Sequence, residues 1–259
     1  MKYIIIDIGS HKCEELNVLL NFNFEKIKFY LKWWSDYLFY LSKKFFFISK
    51  NDYVICGYKF SPLSVNISDH VNILVNLFKK IPKKKLEIVS FEPNYFICLD
   101  YIKKISTKFN ITYYPLLIEK DKKNKTLILR DYYIFPNSLS NAIFKKNKTF
   151  LIKKKIPSLD IDFFLKNLAS FKNIKNYKLL LRINCEGSEY NIIKRFIANN
   201  VKFKNILGSI NDIKKIHGDK MLNEIENLLK KKKINYFYFK GSDPSTWNDA
   251  RAVLLSFLK

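Results

Sequence analysis

Short apolar runs alternate with amphipathic stretches along most of the chain. Mainly apolar runs of strand length are typical of buried strands, whereas apolar residues spaced three and four apart indicate helices. Seven runs have the character of sheet strands: residues 3–8, 86–91, 111–118, 179–183, 203–209, 234–239 and 250–257. Because helical patterns lie between most of them, the sequence predicts an α/β fold with a mainly parallel sheet and helices on both faces.

The helical patterns follow the strands closely. They occupy residues 14–20, 95–108, 158–167, about 189–199 and 219–233. The last is the clearest, with Asp219 at its start, lysines at its end and one apolar face, made by Met221, Leu222, Ile225, Leu228 and Leu229. Residues 126–130 predict an extra strand, and residues 250–257 predict an antiparallel last strand that returns from residues 234–239.

One long segment interrupts the alternation. Residues 22–85 separate the first two strands by far more than a usual crossover. Helical spacing over 24–41 and 68–78 flanks a strand-like stretch, 45–60, with a turn at Asn51–Asp52. The sequence therefore predicts one domain over residues 1–259 that carries a helical and hairpin insertion at about 22–85.

The charge of the chain admits two explanations. Its net charge is +24, which is typical of partners such as nucleic acid or an anionic membrane surface. Lysine supplies nearly all of it, since the only arginines are Arg130, Arg182, Arg195 and Arg251. Arginine is the residue preferred for bidentate phosphate recognition, so a solvated lysine surface from an AT-rich genome is the alternative.

Cysteine usage and hydropathy bear on location. The four cysteines form no CxxC pair, which predicts reduced thiols in a cytoplasmic protein. No apolar run reaches the ~18 residues that a membrane span needs, although peripheral membrane contact stays open. The start of the chain carries Asp7 within its apolar run and predicts a buried strand rather than a signal peptide.

Polar residues follow three of the predicted strands. Asp7, Gly9, Ser10 and His11 stand at the end of the first, Glu92 and Pro93 follow the second, and residues 184–189 (NCEGSE) follow the strand at 179–183. Ligands of open α/β sheets bind outside the carboxyl ends of the strands, where a glycine permits a tight turn and an acid accepts ribose hydroxyls. Pro93 cannot continue the strand ladder and fixes the turn.

The acids of the third motif have two interpretations. Glu186 and Glu189 stand where a strand ends and a helix begins, which suits catalytic carboxylates at a sheet edge. Acids at a helix start, with Ser188 as the N-cap, are the structural alternative. A metal site from Glu186, Glu189 and His217 lacks typical ligand spacing, so no metal is expected.

Taken together, the motifs resemble the FkbM-type family of S-adenosylmethionine-dependent methyltransferases. The family patterns DxGAxxG, FEP, tLD and KiDvEGaE match residues 7–10, 91–93, 158–160 and 182–189, in the same order. The resemblance spans residues 3 to about 210. It implies a Rossmann-like methyltransferase fold with a seven-stranded sheet and an antiparallel last strand.

The resemblance also implies a pocket for S-adenosyl-L-methionine. Asp7, Gly9, Ser10 and His11 would hold its methionine end. Glu92, with Pro93 beside it, would hold the ribose. The loop at 117–121, which contains Glu119, would lie near the adenine, and Asn137–Ser138 falls where such proteins often carry a serine loop.

Several positions depart from the family pattern. Cys13 replaces its second glycine, and Asn184 replaces an aspartate. Asn184 can still hydrogen-bond the acceptor but cannot act as a base, so Glu186 is expected to be the base or to orient the acceptor, with Glu189 structural. Arg182, where the family has lysine, either anchors an anionic substrate or pairs with a nearby acid.

These residues predict an O-methyltransferase acting on a sugar, glycan or other small hydroxyl acceptor. The substitutions at Cys13 and Asn184 also fit a second hypothesis. In that hypothesis the chain is a catalytically impaired protein of the same fold that binds nucleic acid or another anionic partner.

Overall fold

A computed structural model provides the fold of most of the chain. It describes residues 2–11, 14–20, 53–55, 58–60, 81, 86–120, 125–134, 152–172, 177–185, 187–239 and 245–259. Glu186, Cys13 and the Asn137–Ser138 pair lie outside the described residues, as do the helices expected at 24–41 and 68–78.

Eleven strands and seven helices lie in the described ranges. The strands are β1 (Lys2–Ile8), β2 (Tyr53–Ile55), β3 (Tyr58–Phe60), β4 (Leu86–Phe91), β5 (Asn110–Tyr114), β6 (Leu117–Glu119), β7 (Leu127–Ile134), β8 (Ile152–Asp160), β9 (Tyr177–Ile183), β10 (Phe203–Gly208) and β11 (Asn235–Tyr238). The helices are α1 (Glu14–Leu20), α2 (Tyr95–Ser106), α3 (Ile161–Lys172), α4 (Glu189–Ala198), α5 (Asn211–His217), α6 (Asp219–Lys232) and α7 (Ser245–Phe257).

The main sheet has six strands in the order β5-β4-β1-β9-β10-β11. Every neighbouring pair in it is parallel. Numbered along the chain, the order is 3-2-1-4-5-6, which is that of doubly wound dinucleotide-binding sheets. The order reverses between β1 and β9, where Asp7 lies opposite Arg182. Ligands of such sheets bind at the carboxyl ends of these two strands.

Helices cover both faces of this sheet, as the sequence predicted. Alternate side chains of β1 point to opposite faces. Ile4 and Ile6 pack with the helices α3, α4, α5 and α6 on one face. Ile5 packs with α1, α2 and α7 on the other. Burial on both sides explains why β1, β4 and β9 are continuous apolar runs in the sequence.

The predicted third strand, 111–118, divides in two. β5 ends at Tyr114, and β6 begins at Leu117 in a separate three-stranded sheet of order β6-β8-β7. Pro115 lies between them and has no N–H to continue a ladder. The extra strand expected at 126–130 is present as β7, which pairs antiparallel with β8.

The helix expected from residue 158 begins three residues later. Ser158 lies in β8, and α3 begins at Ile161. Asp160 rather than Ser158 caps it, because the Asp160 Oδ1 atom accepts the Phe163 N–H at 3.0 Å.

The prediction of a seventh, antiparallel strand at 250–257 is wrong, because these residues form part of α7. Ala250, Leu254 and Phe257 are buried, whereas Ala252 and Ser256 are exposed. That spacing is the period of a helix and not the alternation of a strand. A short apolar run fits a buried strand and a buried helix equally well, which explains the error.

The second half of the strand-like stretch predicted at 45–60 contains two short strands that form a hairpin. β2 and β3 pair antiparallel, with Ile55 opposite Tyr58. Both strands follow Asn51–Asp52 in the chain, and the turn predicted at that pair lies outside the described residues. Among the helices in the described ranges, none is long and apolar enough to cross a membrane.

The two alanines of α7 test its helical assignment. We expect Ala250→Lys to lower the free energy of unfolding by at least about 3 kcal/mol, because it places a charge in the core. Ala252→Lys, on the exposed face, should change it by less than about 0.5 kcal/mol. Urea denaturation of both variants measures the difference. Similar losses in both would indicate a strand, since residues 250 and 252 would then share a face.

Candidate site at the carboxyl edge of the sheet

The three polar motifs predicted from the sequence meet at one edge of the main sheet. The backbone N–H groups of Gly9 and Ser10 donate to the Phe91 carbonyl oxygen, at 3.0 and 3.2 Å. On the other side of β1, the Asn184 N–H donates to the Ile8 carbonyl oxygen at 3.0 Å. The ends of β1, β4 and β9 are therefore joined by backbone hydrogen bonds.

Gly9 allows this close approach. Its φ is +76°, a conformation that side chains with a Cβ rarely adopt, and an added Cβ would lie 2.1 Å from the Asn184 carbonyl oxygen. The sequence predicted a tight turn at Gly9 that lets a ligand approach the backbone. The tight turn is present, and the group that approaches Gly9 is the protein's own backbone.

Below this turn lies a buried ion pair. Arg182 Nη1 is 2.9 Å from Asp7 Oδ1, and both side chains are 1% exposed. The same nitrogen donates to the Gly9 carbonyl oxygen at 2.6 Å. Burial raises the pKa of Asp7, and the nearby Arg182 guanidinium partly opposes that rise. Of the two roles considered for Arg182, pairing with an acid is the one that the structure shows.

The Ser10 hydroxyl joins β1 to β4. Its Oγ lies 2.5 Å from Ser90 Oγ and donates to the Phe91 carbonyl oxygen at 3.2 Å. Both serines are fully buried. Ser10 thus fixes the position of the turn within the protein.

Glu92 connects the first motif to the second. Its Oε2 accepts the His11 N–H at 2.8 Å, and its Oε1 accepts the Asn94 N–H at 2.9 Å. Burial raises the pKa of Glu92, and the two amide donors oppose that rise. A carboxylate oxygen can accept more than one hydrogen bond, so each oxygen of Glu92 has the capacity for a further donor. Pro93 lies beside it, partly exposed.

A short polar chain behind Glu92 escaped the sequence analysis. The Tyr113 hydroxyl donates to the Glu92 carbonyl oxygen at 2.6 Å, and the Cys98 thiol donates to that hydroxyl at 3.0 Å. Burial raises the pKa of Cys98. Tyr113 lies in β5 and Cys98 in α2, and neither belongs to a recognisable motif, so no sequence signal pointed to them.

Glu189 organises the loop that follows β9. Its Oε1 accepts the Cys185 N–H at 2.7 Å, and its Oε2 accepts the Gly187 N–H at 2.6 Å. Burial raises the pKa of Glu189 to about 7, and the negative charge of Asp212 adds to the rise. These contacts support the structural role predicted for Glu189. Ser188 occupies the N-cap position of α4, but its side chain makes no capping hydrogen bond.

The end of α5 lies against the same loop. His217 Nε2 is 2.8 Å from the Gly187 carbonyl oxygen, and Ile216 fills the space that a Gly187 side chain would occupy. Within the described ranges, no group of three or more His, Cys, Asp or Glu residues is arranged to hold a metal ion. His217 and Glu189 thus both hold backbone groups of residues 184–189.

Asn184 and Glu119 complete the predicted set. Asn184 is half-buried where β1 and β9 end. Glu119, at the end of β6, accepts hydrogen bonds from the Arg130 guanidinium and from the Ser158 hydroxyl, the latter at 3.0 Å. The structure therefore joins the motifs at residues 7–11, 90–94 and 184–189 and places Glu119 in the smaller sheet.

The fold and the site define an α/β protein with a six-stranded parallel sheet and a polar cluster at its switch point. Comparison with known proteins finds no matching family model, no similar curated protein and no similar solved structure.

The Asp7–Arg182 pair makes a first prediction for the site. Arg182→Met should lower the free energy of unfolding by about 3–5 kcal/mol, because it leaves Asp7 buried without its cation. The double variant Asp7→Asn/Arg182→Met should be more stable than Arg182→Met alone. Urea denaturation measures all three proteins.

Arg195→Met is the matched control. Arg195 pairs with Asp162, but the two side chains are 36% and 24% exposed, so its loss should cost only about 1 kcal/mol. Equal losses in Arg182→Met and Arg195→Met would contradict a special role for the buried pair.

The raised pKa of Glu189 predicts how the free energy of unfolding depends on pH. Its pKa is about 7 in the folded protein against an ordinary 4.5, so the folded state holds a proton that the unfolded state has released between these pH values. The stabilisation is complete below about pH 4.5 and is lost as pH rises through 7. A difference of this size corresponds to about 3 kcal/mol.

Glu189→Gln should remove this part of the pH dependence of the free energy of unfolding. This holds even if the substitution changes the stability by a constant amount at every pH. The exposed Glu226→Gln variant should keep the wild-type slope. Denaturation at pH values from 4.5 to 8 provides the comparison, and an unchanged slope in Glu189→Gln would show that Glu189 does not titrate in this range.

Proposed function

We propose that this chain is a Rossmann-like, S-adenosylmethionine-dependent methyltransferase that methylates an oxygen of a sugar, glycan or other small hydroxyl acceptor. The observation that carries the proposal is the contact between two motifs, the turn that follows β1 and the acid that follows β4. Glu92 accepts the His11 N–H between the ends of β4 and β1, next to the switch point of a 3-2-1-4-5-6 sheet, where doubly wound proteins bind their cofactors.

The nucleoside part of the cofactor suits this edge. Glu92 offers acceptor positions at the end of the strand next to β1, where ribose hydroxyls bind in such sheets. Pro93 and His11 flank it on the two turns. Asp7, Gly9 and Ser10 form the base of the turn, and we assign the methionine end of the cofactor to that turn. We assign the adenine to the segment around Glu119.

The loop after β9 would position the acceptor. The acceptor oxygen attacks the methyl carbon, the carbon–sulfur bond breaks with its electron pair going to sulfur, and the acceptor's proton passes to a base. Asn184 can orient the acceptor through its amide but cannot take the proton. We assign that step to Glu186 in the same loop. Glu189 and His217 hold the backbone of this loop, which favours catalysis by positioning.

A second candidate is a binding protein of the same fold without turnover. Asn184 replaces the family's carboxylate, and Asp7 is already engaged by Arg182. Turnover separates this candidate from the methyltransferase. For either one, we propose a cytoplasmic location, which suits the reduced thiols of Cys98 and Cys185.

Calorimetry with S-adenosylmethionine and S-adenosylhomocysteine tests the proposed cofactor. We expect micromolar binding, weakened at least about tenfold by Glu92→Ala through loss of a charged acceptor for ribose. The exposed Glu226→Gln variant should bind like wild type. Because Glu92 also holds two amides, adenosine and adenine are compared as well: wild type should favour adenosine, and Glu92→Ala should lose that preference.

Transfer of a labelled methyl group to sugar and glycan acceptors tests the reaction. Glu186→Gln should keep cofactor affinity and lose transfer. No heat with either cofactor would overturn the proposal. Tight binding without transfer would favour the binding-protein candidate, and full transfer by Glu186→Gln would reject Glu186 as the base.

A further inference from the structure

A groove of about 680 Å³ lies at the opposite, amino edge of the main sheet. Its lining includes residues from the starts of β9 and β10, such as Tyr177 and Phe203, and from the ends of α4, α6 and α7. Its volume is within the range of ligand-binding clefts, about 300–1,000 Å³. β1 spans the sheet in seven residues, so the groove lies about 20 Å from the turn at Gly9.

The charge of this groove has one sign. Lys178, Lys202, Lys204 and Lys232 line it, and no carboxylate is among its lining residues. All four lysines are exposed. Within the described part of the chain, none of them forms an ion pair with a carboxylate. Positive charge continues beyond the groove through Lys2, whose Nζ is 6.0 Å from the Tyr177 ring centroid, and through the last turn of α6.

The positive charge of these lysines exceeds the partial negative charge of the helix ends beside them. The carboxyl ends of three helices border the groove, and each carries a partial charge of about −0.5, which favours nearby cations. That sum of about −1.5 is smaller than the +4 of the lining lysines. Only Lys232 lies in a helical turn, whereas Lys178 and Lys204 lie in strands and Lys202 just before one. The groove therefore keeps a positive field that suits an anion.

Its remaining residues suit the bases of a nucleic acid. The Tyr177 ring is partly exposed at the groove, while Phe203 and Phe257 are buried below it. Asn200 and Asn205 add side-chain amides. A positive groove that carries an aromatic side chain is the arrangement that binds single strands, in which bases are free to stack. Lysine contacts phosphates as a point charge, so recognition should depend little on sequence.

We propose that this groove binds single-stranded nucleic acid, with its lysines on the phosphates and Tyr177 stacked on a base. The surface is separate from the carboxyl-edge site. The inference therefore does not depend on methyl transfer.

Fluorescence anisotropy with labelled 20-nucleotide oligo-U and oligo-dT tests the proposal. The groove variant carries Lys→Gln at 178, 202, 204 and 232. The control variant loses the same charge at Lys103, Lys104, Lys108 and Lys154, which are exposed and lie outside the groove. Thermal unfolding of each protein confirms that it is folded.

We expect wild type to bind at 50 mM salt and the groove variant to bind at least about tenfold more weakly. The control variant should stay within about threefold of wild type. The slope of log K against log salt should become shallower by about 3 in the groove variant, since single strands contribute about 0.7 per neutralised phosphate. Tyr177→Leu should weaken binding at least about fivefold through lost stacking, without changing the slope.

Three results would overturn the proposal. No binding by wild type would do so, as would equal losses in the groove and control variants, which would indicate bulk charge alone. The third is a groove variant that loses affinity for phosphatidylserine vesicles but keeps its affinity for the oligonucleotides. That result would assign the groove to a membrane surface.

Discussion

The buried pair of Asp7 and Arg182 is the constraint on which the carboxyl edge of this protein depends. Removing two charges from water costs several kcal/mol per ion, and only a close, well-bonded partner offsets that cost. Here Arg182 bridges the Asp7 carboxylate and the Gly9 carbonyl oxygen. One guanidinium therefore holds β9 to both the end of β1 and the loop after it. The pair therefore fixes the register of the two strands that flank the switch point.

Around this pair, three other polar side chains of the edge bond backbone groups. Ser10 reaches the end of β4, Glu92 reaches back to His11, and Glu189 closes the loop after β9. A ligand that enters there meets groups whose positions are already set. Such pre-organisation lowers the ordering cost of binding. At the opposite edge the exposed lysines project into solvent, which suits a partner held by many weak charge contacts.

Much of this fold was accessible from the sequence, for identifiable reasons. β1, β4, β9 and β10 are buried on both faces and appear as apolar runs, while α6 is exposed on one side and appears as a helical stripe. The site was accessible where polar residues follow those runs. The helical form of α7 was not, because its short apolar run fits a buried strand and a buried helix equally well. Nor was the partner of Arg182, since Asp7 lies 175 residues away in the chain and only the sheet register brings them together.

The contact between Gly9 and Asn184 limits which residues can replace Gly9 during evolution. No other residue fits at position 9 while the Asn184 carbonyl oxygen lies where a Cβ would be. Selection for folding alone would thus retain this glycine, along with the acid and arginine beneath it, whether or not a cofactor binds at this edge. The motif at residues 7–10 is therefore inherited evidence of an architecture.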